Sequence, residues 1–139
     1  MSENGDAARR KVLVVDDNDD VRHLVTRVLE QSGCLVLEAA SGESAVAMAA
    51  QGLPDLVLMD LRLAGEMDGL EATRRLREDP RLCPVPVVAL TGSVTEEDRR
   101  QALAAGMNGL IGKPLDITAL PAMVEKFILQ GAADPANPE

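Results

Sequence analysis

Aromatic side chains are nearly missing from this chain: one Phe, no Trp and no Tyr in 139 residues. Stacking a nucleobase or a flavin ring draws on such side chains, so both ligand classes lose support. Basic residues are also in deficit, with 14 Lys and Arg against 23 Asp and Glu and a net charge of −9. That balance argues against nonspecific nucleic-acid binding, which needs cations at phosphates. It leaves room for a divalent cation, which favours an acidic pocket. No apolar run approaches the roughly 20 residues of a membrane span. Met1 to Arg10 lacks the apolar stretch of a signal peptide. These absences predict a cytoplasmic protein with neither a membrane nor a nucleic acid as partner. Cys34 and Cys83 are the only cysteines and lie far apart, which predicts reduced thiols rather than a disulfide. With His23 as the sole histidine, there is no Cys–His cluster for zinc.

What the chain does have is an alternation of short apolar runs and helical stretches, the pattern of βαβ units on a parallel sheet. Lys11 to Val15 reads as a strand buried on both faces. Val21, Leu24, Val25, Val28 and Leu29 recur at helical spacing, predicting a helix over 19–32 that Gly33 can end. A strand is expected over 35–37, and a helix from Ser41 or Gly42 to Ala50. Leu56 to Met59 is the third strand, and 68–78 the third helix, stopped before Pro80. The fourth strand is expected over 85–90, with Pro86 near its start. A fourth helix, capped by Thr95, should end near Gly106. The fifth strand is 109–112, and the last helix runs from Asp116 to about Leu129, with Pro121 in its first turn. The predicted architecture is α/β: a flavodoxin-like, doubly wound (βα)5 fold with a five-stranded parallel sheet in the order 2-1-3-4-5. Residues 1–10 and 131–139 read as flexible tails around one domain, 11–130.

Four of these strands run into residues suited to phosphoryl chemistry: Asp16-Asp17, Asp60, Thr91 and Lys113-Pro114. In an open parallel sheet, ligands bind at the carboxyl ends of the strands. Order 2-1-3-4-5 makes the first and third strands neighbours, so Asp16, Asp17 and Asp60 should meet. Three carboxylates in one pocket are tolerable if a hard cation neutralises them, and Mg²⁺ takes oxygen ligands of this kind. A carboxylate can also attack phosphorus to give an aspartyl-phosphate. An ammonium at Lys113 and a hydroxyl at Thr91 could then hold the phosphoryl oxygens. Taken singly, each residue has an ordinary alternative. The two Asp could cap a helix, Thr91 could form a turn with Gly92, and Lys113-Pro114 could be a solvated turn.

Taken together, Val14-Val15-Asp16-Asp17, Leu58-Met59-Asp60, Met67-Asp68-Gly69, Ala89-Leu90-Thr91-Gly92 and Lys113-Pro114 resemble the response-regulator receiver domains of two-component signalling. The resemblance covers about residues 11–130. It implies that Asp60 is the phosphoacceptor. Asp16, Asp17, Asp60 and the main-chain carbonyl of Arg62 would hold Mg²⁺, with Mn²⁺ as an alternative ion. Thr91 and Lys113 would contact the phosphoryl group. The donor would be a phosphohistidine on a sensor histidine kinase or a histidine phosphotransfer protein. Such domains catalyse only their own phosphorylation and dephosphorylation, so no separate substrate is expected. With the chain ending at Glu139, output is expected through protein contact or onward phosphotransfer. The contact surface would be the α4–β5–α5 face, formed by the fourth helix, the fifth strand and the last helix.

Two departures from the family pattern stand out. Many receivers carry an aromatic residue three positions before the Lys, where this chain has Leu110; a muted or rerouted switch is expected. The loop after Asp60 is one residue longer than in many chemotaxis-type receivers, and Arg62 and Ser93 are expected to tune the phosphoryl lifetime. Other functions make different demands on particular residues. A receiver module of a hybrid histidine kinase fits the same motifs. A metal-dependent phosphatase with an aspartyl nucleophile would want a second Asp two residues on, where Arg62 follows Asp60 and Asn18 follows Asp16. A flavodoxin-like cofactor binder would want a Ser/Thr/Gly loop in place of Asp16-Asp17. His23 is expected to be a surface residue of the first helix, and the run Glu96 to Arg100 a solvated helix face.

Overall fold

The computed structural model describes residues 9–92, 94–112 and 117–133. Its elements alternate as β1 (Lys11–Val15), α1 (Asp19–Gln31), β2 (Leu35–Ala39), α2 (Gly42–Gly52), β3 (Leu56–Met59), α3 (Gly69–Glu78), β4 (Val87–Thr91), α4 (Glu96–Ala105) and β5 (Gly109–Gly112). A single 3-10 turn, Ile117–Ala119, then leads into α5 (Leu120–Ala133). The five strands form one parallel sheet in the order β2-β1-β3-β4-β5, as the sequence predicts. Val15 pairs with Met59 across β1 and β3, and Thr91 with Gly112 across β4 and β5.

Because side chains alternate across a strand, the sheet feeds two cores. Leu13, Val15, Val57, Met59, Val87 and Ala89 face one way and pack with Ala45 and Ala49 of α2, Ala72 and Leu76 of α3 and Ala102 of α4. Val12, Val14, Leu56, Leu58, Val88 and Leu90 face the other way, against Val25 and Leu29 of α1 and Leu120, Val124 and Ile128 of α5. The alanines let α2, α3 and α4 approach the sheet closely. Central strands with no polar face inside require cover on both sides, and the helices supply it.

Several boundaries differ from the sequence reading. β4 begins at Val87, not Val85. Val85 belongs to a turn, its N–H on the Leu82 carbonyl, and Pro86 has no N–H to give the ladder, although its carbonyl accepts from Val57. Asn18 caps α1 by accepting the Val21 N–H. Arg10, placed in a tail by the sequence, is anchored. Its guanidinium makes two bonds to Glu125 of α5, of 2.9 and 2.6 Å, and its carbonyl accepts from Leu35. α5 continues through Gln130 to Ala133, so residues 131–133 are helix and not tail. The remaining tail positions, 1–8 and 134–139, lie outside the described residues, as do Ser93, Lys113, Pro114 and Asp116.

Candidate functional site

At the carboxyl edge of the sheet, β1 and β3 end side by side. The Asp60 N–H donates to the Val15 carbonyl at 3.0 Å, and the Asp16 N–H to the Ala39 carbonyl at 3.2 Å. These ladder bonds carry the two strands one residue past their ends. They bring the carboxylates of Asp16, Asp17 and Asp60 together, with one oxygen from each lying within 4.8 Å of the others. Asp16 and Asp60 are buried and Asp17 is exposed.

Each carboxylate is oriented by a main-chain N–H. Asn18 donates to Asp16 Oδ1 at 2.9 Å, Arg62 to Asp60 Oδ1 at 3.1 Å, and Ala64 to Asp17 Oδ2 at 2.8 Å. The last of these ties the loop after β3 to the loop after β1. Three converging anionic oxygens, two of them shielded from water, form a donor set that a hard divalent cation matches. Like charges this close repel one another, and a divalent cation would offset that repulsion.

Thr91 closes the site on its third side. It is the last residue of β4 and 1% exposed. Its partner in register, Gly112, directly precedes Lys113 in the chain. The structure thus gathers Asp16, Asp17, Asp60 and Thr91 at one edge. Lys113 and Ser93 lie outside the described residues.

Gly69 sets the entry to α3. A Cβ there would stand 2.2 Å from the Asp60 carbonyl oxygen, so only glycine lets the helix start against the carboxyl end of β3. Asp68 caps that helix through the Glu71 N–H. The motif Met67-Asp68-Gly69 therefore has a steric meaning that its residue types alone do not disclose.

Arg22 was not singled out in the sequence. Its guanidinium donates to the main-chain carbonyl of Asp16 at 2.8 Å and pairs with Asp19 and Glu38 at 2.8 and 2.9 Å. It holds the β1–α1 loop against the edge strand β2 and places a cation behind the acidic triad. His23 is exposed, as expected, 3.7 Å from Glu38.

The Arg62 side chain leaves the triad altogether and pairs with Asp98 of α4 at 2.8 Å. Asp98 was expected on a solvated face; it is 7% exposed instead. It completes a capping box with Thr95, donating its N–H to Thr95 Oγ1 at 3.0 Å and accepting the Thr95 N–H on Oδ2 at 3.3 Å. The pattern Thr-x-x-Asp is a local signal for that box. No local signal could tie Asp98 to a residue 36 positions earlier. A groove of about 400 Å³ runs beside the pair, lined by Asp17, Arg62, Leu63, Leu70, Asp98 and Gln101.

Leu110 is half-buried and packs with the α2–α4 core. The one aromatic residue sits elsewhere: the Phe127 ring of α5 covers Gly109, where a Cβ would come within 2.8 Å of it.

A five-stranded α/β sheet carrying an acidic triad at its switch point, with a buried hydroxyl at the end of β4, defines a class of domain whose carboxyl edge suits a divalent cation. The comparisons give that class its family. The family model for the response regulator receiver domain matches residues 12–125, and the chain belongs to that family. Protein PilH of Pseudomonas aeruginosa is 36% identical over 106 residues, covering 76% of this chain and 87% of PilH. Response regulator PleD of Caulobacter vibrioides is 38% identical over 117 residues, which is 84% of this chain but only 26% of PleD. Among solved structures, the receiver domain of the sensor histidine kinase PA1611 from Pseudomonas aeruginosa superposes with a TM-score of 0.80 at 34% identity, over 87% of this chain and 98% of that one. That structure has a magnesium ion coordinated in its active site cleft. Among the described residues, no helix is long and apolar enough to cross a membrane.

Proposed function

We propose that this chain is a phosphoacceptor in a two-component or phosphorelay pathway, with Asp60 as the phosphorylated residue. The observation that carries the reading is the triad itself: Asp60 beside Asp16 and Asp17 at the β1–β3 edge, with buried Thr91 across from it. Mg²⁺, bound by Asp16, Asp17, Asp60 and the main-chain carbonyl of Arg62, would supply charge neutralisation between the nucleophile and the incoming phosphoryl group. Mn²⁺ would serve the same donors.

The chain's own residues do the rest. An Asp60 carboxylate oxygen attacks phosphorus. The O–P bond forms as the P–N bond to the donor imidazole breaks, and the electron pair stays on the imidazole nitrogen. The Arg62 N–H fixes the attacking carboxylate, which lowers the cost of reaching the reactive geometry. The Thr91 hydroxyl and the Lys113 ammonium then hold the phosphoryl oxygens. The donor is a phosphohistidine on a sensor histidine kinase or a histidine phosphotransfer protein, met by this chain in the cytoplasm. Output passes through the α4–β5–α5 face or by onward phosphotransfer. The functional unit is the receiver domain, residues 11–130, with Arg10 tying its amino end to α5.

The likeness to the PA1611 receiver domain supports a second reading, a receiver module acting for a hybrid histidine kinase. The reaction centre would be the same and only the source of the phosphoryl group would differ.

The test is intact-mass measurement after incubation with Mg²⁺ and acetyl phosphate. A single phosphoryl adduct is expected, absent in Asp60→Asn and after chelation with EDTA. An adduct that persists in Asp60→Asn would place the acceptor elsewhere. Sustained turnover of phosphate esters would instead favour a phosphatase.

A further inference from the structure

We propose that the Arg62–Asp98 ion pair is a latch on the first turn of α4, opened when a phosphoryl group on Asp60 takes the Arg62 guanidinium. The inference rests on the phosphoacceptor reading and adds the route by which the reaction centre reaches α4.

Arg62 stands two residues after Asp60 and already touches it, through its main-chain N–H at 3.1 Å. Its guanidinium lies 2.8 Å from Asp98 Oδ1. One short loop therefore joins the phosphoacceptor to α4. Asp98 does two jobs at once: one oxygen holds Arg62, and the other accepts the Thr95 N–H that starts the helix. Moving the guanidinium thus acts directly on the capping box.

The exchange has a physical direction. Phosphorylation replaces a carboxylate by a group with more negative charge and more acceptor oxygens. A guanidinium prefers such a fork of oxygens to a carboxylate already shared with a main-chain N–H. The Arg62 side chain is 64% exposed and lines the groove of about 400 Å³ beside Asp17, so it has room to swing. Asp98 is not stranded when it leaves, because the positive amino end of α4 and the Thr95 N–H still stabilise the carboxylate. What is lost is the tie between α4 and the β3–α3 loop. Leu110, a half-buried aliphatic residue, packs in the core and offers no polar group to carry the same message.

Hydrogen exchange on the full chain tests this, with Mg²⁺ alone and with Mg²⁺ plus beryllofluoride as the phosphoryl mimic. In the native protein, beryllofluoride should speed exchange of the Arg99 to Ala102 amides roughly two- to fivefold, the range set by losing one partly exposed ion pair. Arg62→Gln should show that faster exchange before beryllofluoride is added, with no further rise afterwards. Arg62→Lys should restore part of the response. Asp98→Asn, which keeps an oxygen for the Thr95 N–H, should behave as Arg62→Gln does. An unchanged α4 in the native protein, or a full response in Arg62→Gln, overturns the latch. Acetyl phosphate labelling of the same samples separates the two readings. An adduct on Asp60 with an unresponsive α4 sinks the latch alone, whereas no adduct in the native protein sinks both.

Discussion

Replacing Asp60 by Asn should stabilise the metal-free protein, and the size of the gain can be worked from the triad. One oxygen from each of Asp16, Asp17 and Asp60 lies within 4.8 Å of the others. At that separation two unit charges repel by about 3.5 kcal/mol in an effective dielectric of about 20. The Asp16–Asp60 pair is buried, but each charge is spread over two oxygens, and Asp17 is exposed and screened. A net relief of about 2 kcal/mol is therefore expected. The amide oxygen of Asn can still accept the Arg62 N–H, so the loop keeps its geometry. For a domain of this length, about 2 kcal/mol corresponds to a rise in Tm of about 6–10 °C. The assay is thermal unfolding of native and Asp60→Asn protein in EDTA, repeated in Mg²⁺. Cation binding to the native state should raise the native Tm by mass action and should help the variant less. The two curves should thus converge or cross as Mg²⁺ is added. A variant no more stable than the native protein in EDTA would refute the premise that these carboxylates strain the fold.

Two further outcomes follow from single contacts. Gly69→Ala should cost about 2–3 kcal/mol and slow labelling by acetyl phosphate, since its Cβ would stand 2.2 Å from the Asp60 carbonyl oxygen; urea unfolding and labelling kinetics check both. The bond from Arg10 holds the Glu125 carboxyl below its ordinary range. A depressed carboxyl stabilises above its unfolded pKa, about 4.3, and loses that contribution as pH falls through the folded value. Glu125→Gln should therefore cost about 0.5 kcal/mol at pH 7, a figure already discounted for exposure, and nothing once both states are protonated, as urea titrations at the two pH values would show.

The sequence disclosed what depends on neighbours along the chain. Apolar runs marked the strands, and Thr95 and Gly106 marked the ends of α4. The order of the strands followed from the count of five βα units, for which the flavodoxin-like order is the natural arrangement, and with it the meeting of Asp16, Asp17 and Asp60. What stayed hidden depends on pairs far apart. Arg22 reaching Glu38, Arg62 reaching Asp98 and Arg10 reaching Glu125 join charged residues that look solvated in a linear reading. The late start of β4 has the same origin. Arg77 of α3 donates to the carbonyls of Cys83 and Val85 at 2.9 and 2.6 Å, holding the segment before Pro86 in a turn. Burial pushes that guanidinium below the ordinary arginine value, and among the described residues its partners are carbonyl and amide oxygens with no carboxylate.

Arg77 also fixes one end of α4. Its Nε and Nη2 both donate to the Gly106 carbonyl, at 2.9 and 2.7 Å, where the helix ends. Neither an arginine nor a carbonyl titrates in the working range, so this anchor is indifferent to pH and to any rearrangement of carboxylates. With the Arg62–Asp98 tie released, the helix would be a lever with its fulcrum at Gly106 and its moving arm at Thr95. Ten residues span about 15 Å, so a tilt of about 10° would carry the amino end through about 2–3 Å while Gly106 stays in place. Displacement is graded along the exposed surface of α4. A partner gripping Glu96 would sense the whole stroke, one at Arg99 about two-thirds of it, and one resting on Leu103 about a third.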